Sequence, residues 1–133
     1  MSWLSNIFGL NKKSNFGAEL QKLSSLSETE IQECLNKERE VLAKQYKPVV
    51  CKTKFRNAIV GLENPSYFCY MNSVLQCLAH SDSLRDYFLR SEWWKELNPL
   101  SSPSKGQLAC EFWLFLERYW TANKDEMSAT GIR

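Results

Sequence analysis

Gly61-Leu62-Glu63-Asn64-Pro65-Ser66-Tyr67-Phe68-Cys69-Tyr70-Met71-Asn72-Ser73-Val74-Leu75-Gln76-Cys77-Leu78 reads as a turn running straight into a helix. Asn64-Pro65-Ser66 supplies the turn, and Cys69 stands at the junction. A helix N-terminus carries unpaired N–H groups and the positive end of the macrodipole. Both favour thiolate over thiol, and the thiolate is the nucleophile. The same N–H groups can hold a developing oxyanion. An isolated cysteine is usually a small buried hydrophobe; this one lies where nucleophilic catalysis would place it.

The stretch resembles the cysteine box of the ubiquitin-specific proteases, roughly G-L-x-N-x-G-N-T-C-Y-M-N-S-x-L-Q-C-L. Gly61, Leu62, Asn64, Cys69, Tyr70, Met71, Asn72, Ser73, Leu75, Gln76, Cys77 and Leu78 match it. Leu84-Arg85-Asp86-Tyr87-Phe88-Leu89 resembles the helix that follows in that family. The resemblance implies a thiol-dependent deubiquitinase that cleaves after the C-terminal glycine of ubiquitin through an acyl-enzyme thioester. It implies ubiquitin and ubiquitinated proteins as partners, no cofactor and no metal. By the same resemblance Cys69 is the nucleophile, and Asn64 stands at the position linked to the oxyanion hole. Read from the residues alone, Asn64 is equally a turn or helix cap ahead of Pro65.

The sequence departs from the family beside the thiol, where Ser66, Tyr67 and Phe68 replace small or polar residues. The two rings either narrow the approach to Cys69 or turn into the core.

A cysteine protease also needs a base within hydrogen-bond reach of the thiol. The only histidine is His80. On a continuous helix it stands roughly 16 Å from Cys69, which makes it a poor base and a better capping residue near the helix C-terminus. In the family the catalytic His and its Asp or Asn partner lie far downstream of the cysteine box. The expected fold is therefore mainly α as present: the N-terminal, thumb-like half of an α+β papain-like cysteine protease domain. On this reading the chain alone lacks hydrolase activity. The alternative is a catalytically inactive module of the same fold that docks ubiquitin or a scaffold. A structural helical protein with a coincidental box is the remaining reading, and the unbroken block of matches argues against it.

Composition sets outer bounds. The chain has 133 residues, enough for a modest core. Its net charge of +2 gives no argument for nucleic acid or a membrane surface. No apolar run reaches transmembrane length, and Met1–Leu10 lacks the features of a signal peptide. Five cysteines without framework spacing suit reduced thiols, hence a cytoplasmic or nuclear location. Cys77-x-x-His80 is half a metal motif without a second pair.

Three segments are expected. Residues 1–17 read as a flexible N-terminal tail with an apolar start. Residues 18–57 read as an N-terminal helix over 18–47, which offers a surface for a helix-mediated partner, and an extended linker. Residues 58–133 read as the partial catalytic domain. In the first helix Ser27 and Glu30 form a capping box, and Ile31, Cys34, Leu35, Val41, Leu42 and Tyr46 recur at helical spacing. Glu33–Lys37 and Glu40–Lys44 are i,i+4 pairs. Residues 48–60 look extended, with Lys52, Lys54 and Arg56 on one face. Helices follow at 67–80 and to about Arg90, capped by Asp82 or Ser83. A turn over 92–97 comes next, then a helix over 105–120 with Leu108, Phe112, Phe115, Leu116 and Tyr119 on one face. Trp93, Trp94, Trp113 and Trp120 read as core, with a recognition surface, or simple exposure of some of them, as the alternatives. After Ala122 the sequence carries no signal.

Overall fold

The computed structural model describes residues 16–55, 60–64 and 66–121, and the backbone of Glu126–Met127. The tail reading for 1–15 and the Arg56 and Ile59 positions of the extended segment lie outside these residues. The described chain is mainly helical: α1 (Phe16–Ser24), α2 (Glu28–Tyr46), α3 (Cys69–Ala79), α4 (Asp82–Arg90) and α5 (Gln107–Thr121), with a 3₁₀ turn at Trp93–Lys95. The two-residue strands β1 (Gly61–Leu62) and β2 (Glu126–Met127) pair in parallel, Gly61 with Glu126 and Leu62 with Met127. No described helix is long and apolar enough to cross a membrane.

The single helix expected over 18–47 is two helices. The hydroxyls of Ser24 and Ser25 donate to the carbonyls of Gln21 and Lys22, each at 2.7 Å, so local serine bonds compete with continuation of the helix. The capping box then starts α2 afresh: the Glu30 N–H donates to Ser27 Oγ at 3.3 Å, and the Ser27 N–H to Glu30 Oε2 at 2.8 Å. α2 ends at Lys47 in the left-handed region, φ 49°, just ahead of Pro48. Of the expected stripe only Leu42 is buried, and Val41 is exposed. Lys44 bonds Glu40 at 2.9 Å and lowers the pKa of its carboxyl. Both groups are solvent-exposed, so the pair adds little.

The chain divides into two compact units. The first comprises the described residues up to Pro48 together with Trp94–Cys110. Arg39 Nε donates to the Leu97 carbonyl at 2.6 Å, tying α2 to the loop ahead of α5. Gly106 stands in that loop at φ +82°, where a Cβ would come within 2.8 Å of Leu97 Cδ2 and 2.9 Å of Leu42 Cδ1. Both the conformation and the close approach require glycine there.

The second unit comprises Val49–Trp93 and the chain from Glu111 onward. Its core is aromatic. Leu89, Trp93, Trp113, Phe115, Leu116, Tyr119 and Trp120 are buried, and Phe88 packs against Trp93 and Phe112 at 5.0 and 5.2 Å between ring centroids. Leu108, expected on the buried stripe of α5, is exposed. At 3.6 residues per turn Leu108 shares the face of Phe115 and Tyr119, but it lies in the first turn of α5, about two turns before Phe115. Ser81, rather than Asp82 or Ser83, holds the N-cap position of α4, without a side-chain cap bond; Asp82 lies in the first turn and pairs with Arg85 at 3.0 Å. Residues 48–55 form no strand. They are held instead by the Cys51 N–H donating to the Leu89 carbonyl at 2.7 Å, and by Arg85 and Arg90 stacked over Phe55.

Candidate functional site

Cys69 is the first residue of α3 and is exposed. The helix begins where it does because the Asn72 N–H closes the first turn onto the Phe68 carbonyl at 2.8 Å. Four N–H groups at such a terminus lack an intrahelical acceptor. That of Phe68 is satisfied from outside the helix: it donates to Asn64 Oδ1 at 2.8 Å. Those of Cys69, Tyr70 and Met71 have no acceptor within α3 itself. The thiol therefore stands among backbone donors at the positive end of α3.

The Phe68 bond also settles the orientation of the Asn64 amide. Only an oxygen can accept a backbone N–H, so the end facing Phe68 is Oδ1 and the other end is the Nδ2 donor. Capping and donation are compatible in one side chain, through opposite ends of its amide.

The chain enters the helix through Tyr67 at φ +53°, in the left-handed region. A residue without glycine's freedom is uncommon there. The Tyr67 side chain is 94% exposed, so this ring does not turn into the core. Phe68 is half-buried. Behind the turn the segment from Val60 to Glu63 is tied to α3 by two side-chain amides. Asn72 Nδ2 donates to the Glu63 carbonyl at 3.1 Å, and Gln76 Nε2 donates to the Val60 carbonyl at 2.8 Å. Asn72 is 8% exposed, and its Oδ1 is buried without a partner among the described residues. Such an acceptor costs about 1–3 kcal/mol.

The bonds continue away from the thiol. The Tyr119 hydroxyl donates to Gln76 Oε1 at 2.7 Å, and His80 Nε2 lies 3.0 Å from that hydroxyl. With the Tyr119 proton committed to Gln76, His80 Nε2 is the donor of the second bond. His80 is the C-cap of α3, the far end from Cys69, and its ring meets Tyr119 and Trp120 edge-on. The structure thus brings Asn64 to the turn beside Cys69 and leaves His80 in a structural bond. Among the described residues no group of three or more His, Cys, Asp or Glu side chains could hold a metal ion.

Residues 60–132, just over half of the chain, match the family model described as ubiquitin carboxyl-terminal hydrolase. The chain belongs to that family. Ubiquitin carboxyl-terminal hydrolase 2 of Rattus norvegicus is 32% identical over 75 residues, covering 56% of this chain and 12% of the relative. Ubiquitin carboxyl-terminal hydrolase 9 of Arabidopsis thaliana is 35% identical over 80 residues, covering 59% of this chain and 9% of the relative. Ubiquitin carboxyl-terminal hydrolase 4 of Bos taurus is 36% identical over 72 residues, covering 52% of this chain and 7% of the relative. The chain thus spans a small fraction of the length of these hydrolases. No solved structure gives a significant match.

For this ubiquitin carboxyl-terminal hydrolase family member, Asn72, Gln76 and Tyr119 had no assigned site role in the sequence. A signal for the first two was present. Two side-chain amides four residues apart share a face of a short, mostly apolar helix, and buried amides must find partners.

Proposed function

We propose that this chain carries the nucleophile segment of a thiol-dependent deubiquitinase. Cys69 attacks the carbonyl of the C-terminal glycine of ubiquitin, and the tetrahedral oxygen accepts hydrogen bonds from the α3 terminus and from Asn64 Nδ2. Collapse expels the amine of the conjugated protein and leaves a thioester on Cys69, which water then hydrolyses. The observation that carries this reading is the exposed thiol at the first position of α3, beside an Asn64 whose Oδ1 is held by Phe68 N–H. Family membership gives the reading its substrate. Tyr70, Val74 and Leu78, at four-residue spacing along α3, present an exposed apolar stripe that adds contact area.

The base that activates the thiol, and the acid that protonates the leaving amine, come from a segment other than the described residues. His80 is held by Tyr119 at the wrong end of α3. That same observation favours a second reading, in which the chain by itself docks ubiquitin or a scaffold without turnover. In the first reading the chain alone binds ubiquitin weakly, because only part of a standard interface is present; micromolar or tighter binding would show that this part suffices.

The test is a paired assay on the purified chain: iodoacetamide labelling mapped by mass spectrometry, and release of a fluorophore from the C-terminus of ubiquitin. Labelling at Cys69 without release is expected, because alkylation needs only the thiolate. Release abolished by Cys69→Ala would show that the chain already holds a base. Failure of Cys69 to label while Cys77 reacts would remove the nucleophile assignment.

A further inference from the structure

Two amide side chains on one face of α3 grip the strand that leads into the site. Asn72 and Gln76 are four residues apart on the helix, and the carbonyls they hold, Glu63 and Val60, are three apart on the incoming chain. The strand therefore runs antiparallel to α3 in a fixed register, pinned at two points. Immediately after the second pin comes Asn64, whose Oδ1 takes the Phe68 N–H. The Asn72 bond to Glu63 thus closes the entry into α3 at its base, and the Asn64 bond to Phe68 ties it again inside, with Cys69 between the two ties in sequence.

Packing alone does not account for Asn72. It is buried with one end bonded and the other end, Oδ1, unpaired among the described residues. An apolar side chain of similar volume would avoid that cost. What the amide supplies and an apolar residue cannot is the bond to Glu63. Gln76 is supported from behind: its Oε1 accepts the Tyr119 hydroxyl, which in turn accepts from His80. The single histidine thereby acts as the outer brace of the same clamp.

We infer that Asn72 and Gln76 are positioning residues, which clamp the Val60–Glu63 segment to α3 and so hold the Asn64 amide in place beside the Cys69 thiol. The inference deepens the deubiquitinase reading and rests on it for its catalytic meaning, whereas the clamp itself can be read without turnover.

The test is amide hydrogen exchange by NMR on the chain and on its Asn72→Ala, Gln76→Glu and Asn64→Ala variants. Gln76→Glu keeps the acceptor for Tyr119 and removes the donor to Val60, which covers the case in which Asn72→Ala fails to fold. The readout is protection of the Phe68 N–H relative to core amides of Phe115 and Leu116. Loss of one clamp bond is expected to speed Phe68 exchange about tenfold, with the core amides changed less than about twofold. Asn64→Ala should give the same local loss, and adding Asn72→Ala to it should give little more, because both act through one bond. Phe68 exchange that is unchanged, or that rises in step with the core, would overturn the clamp. Reaction of these variants with ubiquitin bearing a C-terminal electrophile is followed separately. A clamp that passes the exchange test while wild type fails to react would fault the deubiquitinase reading and not the clamp.

Discussion

Asn64 Oδ1 accepts the Phe68 N–H at 2.8 Å, which leaves Nδ2 as the other end of the same amide. The capping bond and the proposed oxyanion role, which compete as readings of the sequence, would use opposite ends of one amide.

The two ends separate by substitution. Asn64→Ala removes both and is expected to cost about 1 kcal/mol of stability, as a lost cap does. Asn64→Asp keeps an acceptor for Phe68 and adds a negative charge at a helix N-terminus, so thermal stability should be unchanged or slightly raised. It removes the Nδ2 donor. In any preparation that turns over ubiquitin conjugates, both variants should lower kcat by roughly 10²–10³ with KM little changed. An effect confined to KM would contradict the oxyanion role.

Tyr67 holds φ +53° with its side chain 94% exposed. A left-handed conformation costs a non-glycine residue about 1–2 kcal/mol, and asparagine tolerates it better. With almost no packing to lose, Tyr67→Asn is expected to stabilise the chain by about 1 kcal/mol in urea unfolding. A loss of stability would show that the exposed ring makes a contact the fold depends on.

Tyr119→Phe keeps the buried ring and deletes the hydroxyl between Gln76 and His80. It leaves Gln76 Oε1 unpaired in a part-buried place and is expected to cost about 1–3 kcal/mol. His80→Phe keeps a ring against Tyr119 and Trp120, removes the outer donor and should cost less. The reverse order, measured by chemical denaturation, would mean that His80 and not Tyr119 supports Gln76.

The helices were largely legible from apolar spacing, because α3, α4 and α5 each bury a face against aromatic neighbours. The break between α1 and α2 was signalled by Ser27 and Glu30, yet apolar residues on both sides carry the helical period across it. The strand Glu126–Met127 gave no pattern, since a two-residue pair has too little length for alternation to show. At the candidate site, Cys69 and Asn64 stand out in the sequence because the block containing them is dense with matches. The clamp was not, because it depends on which carbonyls the incoming strand presents to Asn72 and Gln76. That is a matter of register between strand and helix, and no spacing rule within one element encodes it.

The central claim is that Cys69 is the thiol a ubiquitin C-terminus reaches, and the chain contains its own control. Cys77 is also exposed, on the same helix, eight residues further on. The direct measurement compares ubiquitin tipped with a C-terminal electrophile against the same electrophile without ubiquitin, both in excess, with each modified cysteine mapped by mass spectrometry. The account predicts that ubiquitin shifts modification to Cys69 at the expense of Cys77, and that Cys69→Ala abolishes the adduct. An unchanged Cys69 to Cys77 ratio, with and without ubiquitin, would contradict it.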